Sequence, residues 1–265
     1  MRRYMRRYMA IKNRKKENSK TMKTKIVETS LNLRVEKSLG KMNTDYLLSK
    51  DIAEEQLKLE ADIYCNVEYM ECENAEYMKL FEKAGYSSYV GLDINRRGIM
   101  CMVRKEYLVK IIKTLDDPHM MHIQIKMENR TVDIITVRIL ISNSDETDYI
   151  DRRDQWVKIL DYIDSVENKE YLIITGDFNH GVISKIYKDN QPRRFFNYQM
   201  IEESLKKRNI GVASIKGMSY KNYMKIDHFC MSRKIRVEEA KYVDLFCEHK
   251  IGVPDHKLIA ACVEI

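Results

Sequence analysis

The chain is poor in residues that interrupt secondary structure. It has only 3 prolines and 9 glycines among 265 residues, whereas 44% of the residues are hydrophobic. A chain of this length with so few breaks can bury one large core, and single domains of this size are common among α/β proteins. We therefore expect one folded domain over residues 26–265, preceded by a tail over residues 1–25.

The sequence also lacks paired cysteines and long apolar runs. Its 6 cysteines are scattered without a Cys-x-x-Cys pair, and several lie in apolar segments such as residues 99–103. They are typical of reduced core thiols in a cytosolic protein. No stretch approaches the ~18 apolar residues of a membrane span, and no signal-peptide core is present. We expect a cytoplasmic protein that does not associate with membranes.

The positive charge of the chain is concentrated at its start. Residues 1–25 hold 11 Lys and Arg residues and one Glu, so that residues 26–265 carry a net charge of −3 although the whole chain is at +7. Such a tail is typical of a solvated, disordered segment. The alternative is a basic arm that binds nucleic acid or an anionic lipid. Nothing in the sequence indicates an obligate protein partner.

Hydrophobic periodicity predicts strands interleaved with helices. The segment 25–35 alternates apolar and polar residues, which predicts a first strand with Asn32 and Arg34 on its polar face. Helices are predicted near 45–60, 75–84, 148–166 and 199–208, and further strands near 62–67, 86–90, 98–103, 122–127, 132–141, 172–175, 226–231 and 258–263. This order indicates mixed sheets with helices outside, either a two-sheet sandwich or a three-layer fold.

Two short motifs follow or precede apolar strands. Gly176-Asp177-Phe178-Asn179 comes directly after the apolar run Tyr171–Thr175, and Asp255-His256 leads into the last strand. Open α/β sheets place their active sites at strand ends, so the two motifs suggest one catalytic cluster.

Other polar residues lie at the ends of predicted strands. The full set is Asn32, Glu68, Asp177, Asn179, Asp227, His228, Asp255 and His256. Hard oxygen ligands without a cluster of Cys and His favour Mg²⁺ or Mn²⁺ over zinc, and Mg²⁺ held by one or two carboxylates is typical of phosphoryl chemistry. The expected reaction is attack of water on phosphorus.

In order and spacing, these residues resemble the endonuclease/exonuclease/phosphatase superfamily, which includes pancreatic-type deoxyribonucleases and exonuclease III-like enzymes. The resemblance spans about residues 25–265 and is carried by segments 30–34 and 61–68, by Gly-Asp-Phe-Asn, by Ile226-Asp227-His228-Phe229 and by Asp255-His256. It implies a four-layer α/β/β/α sandwich of two mixed β-sheets flanked by helices.

The resemblance also implies roles for single residues. Glu68 would ligate the metal, Mg²⁺ or Mn²⁺, with Asn32 near it and Asp255 close by. Asp177 would orient or deprotonate the attacking water, and Asn179 would bond a phosphate oxygen.

The proton-transfer residues show one departure from the family pattern. His256 would contact the scissile phosphate and transfer protons, with Asp227 holding its imidazole ring. Where many family members have a phosphate-bonding His, this chain has Arg138. Arginine cannot act as an acid or base near neutral pH, but it can bind a phosphate oxygen bidentately. The alternative is an ordinary surface or salt-bridged Arg.

Basic residues beside aromatic ones favour a nucleic-acid substrate. The expected substrate-binding residues are Arg34, Arg96, Arg97, His180, Arg193 and Arg194, of which the last two lie in an aromatic-rich segment over 185–198. This pattern is typical of a surface that follows phosphates and stacks bases. We expect a metal-dependent nuclease for DNA or RNA. The alternatives are a phosphatase or phosphodiesterase for a small-molecule or lipid phosphoester, and a catalytically weak nucleic-acid-binding protein.

Overall fold

The computed structural model of the protein describes residues 22–31, 49–70, 76–91, 97–128, 130–184, 192–245 and 256–265. Within them lie four helices, α1 Ser49–Leu57, α2 Glu76–Lys83, α3 Glu146–Ser165 and α4 Tyr198–Lys206. The strands are β1 Lys23–Ser30, β2 Ile63–Met70, β3 Tyr86–Gly91, β4 Arg97–Arg104, β5 Leu108–Asp116, β6 His119–Met127, β7 Arg130–Arg138, β8 Leu172–Ile183, β9 Ile210–Val212, β10 Met224–Ser232, β11 Arg236–Val243 and β12 Leu258–Glu264.

The strands form two six-stranded mixed sheets. The first sheet has the order β11-β12-β1-β2-β4-β3, and the second has the order β5-β6-β7-β8-β10-β9. The pairs β1 with β2 and β7 with β8 are parallel, whereas the other pairs are antiparallel. Strands β2 and β8 run in the same direction as their neighbours β1 and β7. The carboxyl ends of each parallel pair therefore point to the same end of the sheet, where side chains from several strands meet.

Three apolar clusters hold the layers of the fold together. The cluster between the sheets includes Ile26 and Ile63 from the first sheet and Ile123 and Ile134 from the second. A second cluster packs α1 and α2 on the first sheet, and a third packs α3 and α4 on the second. The predicted four-layer α/β/β/α sandwich is thus confirmed, and the three-layer alternative is wrong.

Two helices on the second sheet begin at polar caps that the sequence supplies. The side chain of Asp145 accepts a hydrogen bond from the backbone N of Asp148 at 2.9 Å, and Asn197 accepts one from Met200 N at 3.0 Å. These bonds satisfy backbone donors that a helix start leaves open. They fix where α3 and α4 begin relative to β8.

Three strands escaped the sequence analysis, and β8 is much longer than predicted. β5, β9 and β11 have no continuous apolar run. β5 is a largely exposed edge strand, with a register irregularity between Ile111 and Lys113. β8 continues to Ile183 because its second half pairs with β10. Edge strands lack the two-sided burial that makes internal strands visible as apolar runs.

The cysteine prediction is confirmed for the part of the chain that is described. Cys65, Cys101 and Cys230 are buried free thiols, and Cys262 is a half-buried one. Cys72 and Cys247 lie outside the described residues. Among the described helices, none combines the length and the apolar character that crossing a membrane requires.

Candidate active site

The Gly-Asp-Phe-Asn motif lies in the middle of β8, where the backbone departs from regular strand geometry. Gly176 has φ +141°, and a Cβ at this position would lie 2.0 Å from the carbonyl oxygen of Val137. Asn179 has φ +47°. Strained backbone of this kind is concentrated at functional sites. The glycine is therefore required by the close approach of β7 at the point where Asp177 is presented.

We expect Gly176→Ala to destabilise the protein by roughly 2–4 kcal/mol, because the added methyl group would collide with the β7 backbone and would be strained at positive φ. Urea unfolding measures the effect. Gly211→Ala is the matched control, since a Cβ there would meet its nearest atom, the Met231 carbonyl oxygen, at 4.0 Å. Equal stability of the two variants would contradict the close approach at Gly176.

Three charged residues lie side by side on neighbouring strands of the second sheet. Arg138 on β7 is the register partner of Asp177 on β8, and Asp177 is the register partner of Asp227 on β10. Residues in register on neighbouring strands project to the same face of the sheet. A guanidinium and two carboxylates thus lie in a row across three inner strands of the sheet.

His256 joins this row through Asp227. Its Nδ1 lies 2.9 Å and 3.0 Å from the two carboxylate oxygens of Asp227, and a β-bridge to Tyr220 places its backbone. Asp227 is fully buried. A carboxylate bonded to Nδ1 fixes the orientation of the imidazole ring. This is the contact that the resemblance implied for Asp227.

The buried carboxylate of Asp227 raises the proton affinity of its neighbour Asp177. Burial and the neighbouring Asp227 raise the pKa of Asp177 to about 7, against the opposing effect of His256 and Arg138. A carboxylate with a pKa near neutral can accept a proton from water at physiological pH, which an ordinary Asp does poorly.

Asn179 is held by backbone contacts on both sides. Its backbone N donates to Asp177 Oδ1 at 2.8 Å, and its Nδ2 donates to the carbonyl oxygen of Ile139 at 2.6 Å. The buried Arg152 on α3 donates from Nη1 to the Asn179 carbonyl oxygen at 3.0 Å and pairs with Asp148. Because Nδ2 carries two hydrogens, one remains to bond a phosphate oxygen.

Glu68 lies opposite the row, at the end of β2. It has φ +56° within a register irregularity between Asn66 and Tyr69, and such a bulge re-aims a side chain. Its carboxylate contacts the guanidinium of Arg138, and the two side chains are 13% and 8% exposed. Arg138 is therefore neither an exposed surface residue nor distant from the site.

The residues fit a divalent cation on one side of the site. Ligand atoms of Asp177, Asp227 and His256 lie within 4.8 Å of one another, which suits a hard cation with carboxylate ligands. On the other side, Glu68 is already engaged by Arg138. Asn32 and Asp255, the other predicted ligands, lie outside the described residues.

The predicted substrate-binding residues are only partly placed. Arg34, Arg96 and the side chain of Arg97 lie outside the described part of the chain. Arg194 is exposed, pairs with Glu146 and stacks over Phe195 with 4.7 Å between its Cζ and the ring centroid. Arg193 is half-buried.

His180 lies inside the body of the protein. It is 2% exposed, and its Nε2 is 3.4 Å from Arg193 Nη1. Burial, together with the nearby charges of Arg193 and Arg152, lowers the pKa of His180 to about 3. Tyr149 and Phe196 pack against the ring of His180, so the described residues leave it almost no exposed surface for a substrate, and its substrate-binding role stays a prediction.

Two residues near the site were missed by the sequence analysis. Glu28 on β1 is fully buried, and neither of its carboxylate oxygens has a hydrogen-bond partner among the described residues. Burial, and then the charges of Asp227 and Asp177, raise its pKa well above the usual range. Its even-numbered position in the predicted first strand, on the face expected to be polar, was the available signal. Arg152, which orients Asn179, was visible only as an Asp–Arg pair four residues apart on a helix.

Comparisons with known proteins identify the fold. The sequence matches no family model, and it matches none of the curated proteins. A structure of D. rerio TDP2 complexed with a single-strand DNA product is 16% identical, with a TM-score of 0.61 over 92% of this chain and 99% of that one. ANGEL2, a 2′,3′-cyclic phosphatase in complex with adenosine-2′,3′-vanadate, is 12% identical, with a TM-score of 0.67 over 93% and 97%.

A third similar structure is an endonuclease/exonuclease/phosphatase protein from Beutenbergia cavernae, 12% identical, with a TM-score of 0.68 over 92% of this chain and 72% of that chain. At these identities the comparisons establish the fold. The chain has the fold of the endonuclease/exonuclease/phosphatase superfamily, so the resemblance seen in the sequence is confirmed at this level.

Proposed function

We propose that the protein is a metal-dependent phosphodiesterase that hydrolyses DNA or RNA by in-line attack of water. The observation that carries this proposal is the row of Arg138, Asp177 and Asp227 with His256 bonded to Asp227. Asp177 supplies a base of raised pKa, His256 an oriented imidazole and Arg138 a fixed positive charge, and the three lie close together. Each of these functions contributes to phosphoester hydrolysis.

Each residue has a distinct part in this reaction. Asp177 orients the water and accepts its proton as the oxygen approaches phosphorus. Asp227 holds the His256 ring, whose Nε2 bonds a phosphate oxygen and donates a proton as the leaving oxygen separates. Arg138 and the free N–H of Asn179 stabilise the charge that develops on the phosphate oxygens. A divalent cation held by the carboxylates would add electrostatic stabilisation of that charge.

A nucleic-acid substrate is supported by the surface next to β8. Arg194 and Phe195 stack on each other, and Arg193 comes just before them. Arg194 is exposed, whereas Arg193 and Phe195 are half-buried. Arg and aromatic side chains in sequence can bind phosphates and stack bases. The fold shared with a protein that was crystallised with a single-strand DNA product is consistent with this substrate.

A small phosphoester is the second candidate substrate. Residues 26–265 carry a net charge of −3, and Arg194 is neutralised by Glu146, so the described surface provides little steering of a polyanion. The fold is also shared with a 2′,3′-cyclic phosphatase. The two candidates differ in product and in salt dependence.

Plasmid nicking separates the candidates. The purified protein is incubated with supercoiled DNA and with single-stranded DNA and RNA in the presence of Mg²⁺, Mn²⁺ or EDTA, alongside an Asp177→Ala/His256→Ala double variant. Cleavage that requires the metal and is lost in the double variant would support the nuclease. Phosphate release from small phosphoesters without cleavage of any nucleic acid would support the second candidate.

For the nuclease, we expect Arg193→Met/Arg194→Met to weaken binding of single-stranded DNA and to reduce the slope of log Kd against log salt by about 1–2, because two phosphate contacts are removed. Fluorescence anisotropy of the catalytically inactive double variant measures this slope. Arg153→Met, which removes an exposed Arg on α3 that pairs with Asp154, is the control. Equal slopes in all variants would remove this segment from the DNA-binding surface.

A further inference from the structure

The guanidinium of Arg138 lies between two carboxylates of the candidate site. It contacts Glu68 on the first sheet and is in register with Asp177 on the second. The guanidinium of Arg138 thus places a fixed positive charge beside Glu68. A cation bound by Glu68 would bring a second positive charge to the same place.

The ion pair is held firmly by its surroundings. Both side chains are largely buried, and Glu68 is aimed at Arg138 by the bulge in β2. A partly buried pair is screened little by solvent, and separating the partners would leave two uncompensated charges. A divalent ion at Glu68 would therefore have to displace the guanidinium or bind beside it against charge repulsion.

The other side of the site has the opposite charge balance. Asp177 and Asp227 share one imidazole and the guanidinium that also pairs with Glu68, and their ligand atoms lie within 4.8 Å of one another and of His256. Buried carboxylates in excess of positive groups attract a cation. Glu68, in contrast, is already neutralised.

We propose that Arg138 is a resident cation that takes the place of a divalent ion at Glu68, so that the protein binds its divalent ion through Asp177 and Asp227 and not through Glu68. This inference rests on the proposed function for the expectation that a divalent ion is bound at all. It assigns Glu68 the task of positioning Arg138. The metal-binding role that the resemblance implied for Glu68 would appear only when Arg138 is removed.

Mn²⁺ binding tests the inference without substrate. Free Mn²⁺ is measured by electron paramagnetic resonance at fixed ionic strength in the wild type and in Arg138→Met, Glu68→Gln, Asp177→Asn, the Arg138→Met/Glu68→Gln double variant and the control Arg153→Met. Circular dichroism confirms folding of each variant. Arg138→Met keeps an unbranched apolar stem and removes the guanidinium, with its charge and its hydrogen-bond donors.

We expect Arg138→Met to raise the Mn²⁺ affinity at least about tenfold, since it frees Glu68 and removes a repelling charge, and Glu68→Gln to cancel this gain in the double variant. In the wild-type background, Glu68→Gln should change the affinity by less than about twofold, whereas Asp177→Asn should lower it at least about tenfold. Arg153→Met should match the wild type.

Three results would overturn the inference: an unchanged affinity in Arg138→Met, a gain that persists in the double variant, or a tenfold loss in Glu68→Gln alone. The last result remains decisive if Arg138→Met fails to fold. Turnover is measured separately. If the wild type has no phosphoesterase activity but the Mn²⁺ affinities follow the expected order, the proposed function is rejected and the role of Arg138 is supported.

Discussion

Asp177→Asn should lower phosphoester turnover by roughly 10²- to 10⁴-fold while making the metal-free protein more stable, because the carboxylate that accepts the proton is also a buried charge that folding must desolvate. Asparagine has nearly the same shape and carries no charge. Asp177 is 2% exposed and is the register neighbour of a second buried carboxylate, Asp227. A residue retained only for packing would not combine lost activity with gained stability.

The stability gain of Asp177→Asn should depend on pH in a defined direction. The pKa of Asp177 is raised from 3.8 to about 7 in the folded protein. As pH rises from 4 to 7, the unfolded chain releases this proton and the folded protein does not, so the wild type loses stability over that range. The gain should therefore be near zero below pH 4 and reach its full size, roughly 4 kcal/mol at most, at pH 7 and above.

Urea unfolding in EDTA at pH 4, 5.5 and 7.5 measures the stability, and turnover is assayed on the substrate found to be cleaved. Asp154→Asn, at an exposed position on α3, is the matched control and should change neither quantity. Turnover within tenfold of the wild type in Asp177→Asn would remove this residue as the base. A gain in stability that is independent of pH would show that its ionisation is not the cause.

The parts of the site that could be predicted from sequence are those carried by internal strands. Gly176 alone separates Asp177 from the apolar run 171–175, and Asp227 lies in a strand with buried residues on both sides. Both could therefore be placed on inner strands of the sheet. His256 could be predicted because it lies two residues before β12. In each case the local pattern and the tertiary position agree.

The contacts of the site could not be predicted in the same way. The Glu68–Arg138 pair joins residues 70 positions apart on different sheets and depends on a bulge that turns Glu68 into the left-handed region. No periodicity signals such a bulge. The burial of His180 also depends on tertiary packing, since Tyr149 and Phe196 from other elements enclose its ring.

Glu28 was overlooked for a related reason. A polar residue on an alternating strand predicts the solvent face of a half-buried sheet. In this protein the first sheet is covered on both faces, by α1 and α2 on one side and by the second sheet on the other. The alternation of β1 therefore places Glu28 in the interior beneath the site, where an ionised carboxylate without a partner is destabilising.

We expect Glu28→Met to raise the free energy of unfolding by roughly 3–5 kcal/mol at pH 8, because it replaces an unpartnered buried carboxyl with an apolar side chain of similar length. The pKa of Glu28 is raised well above 4.5 in the folded protein. As pH rises above 4.5, the unfolded chain releases the Glu28 proton before the folded protein does, so the wild type becomes less stable. The gain should be small at pH 4 and grow toward pH 8.

The gain has two sources, the loss of an ionisable group and the loss of a buried polar group. Glu28→Gln separates them, because it removes the ionisation but keeps a buried polar group. It should recover part of the gain, with the same pH dependence. Glu202→Met, at an exposed position on α4, should change stability by less than about 0.5 kcal/mol. A Glu28→Met variant no more stable than the wild type at pH 8 would show that the carboxyl is compensated. If the variant is more stable and its turnover falls, the destabilising carboxyl acts on Asp177 and Asp227, because a buried charge that opposes folding persists where activity depends on it.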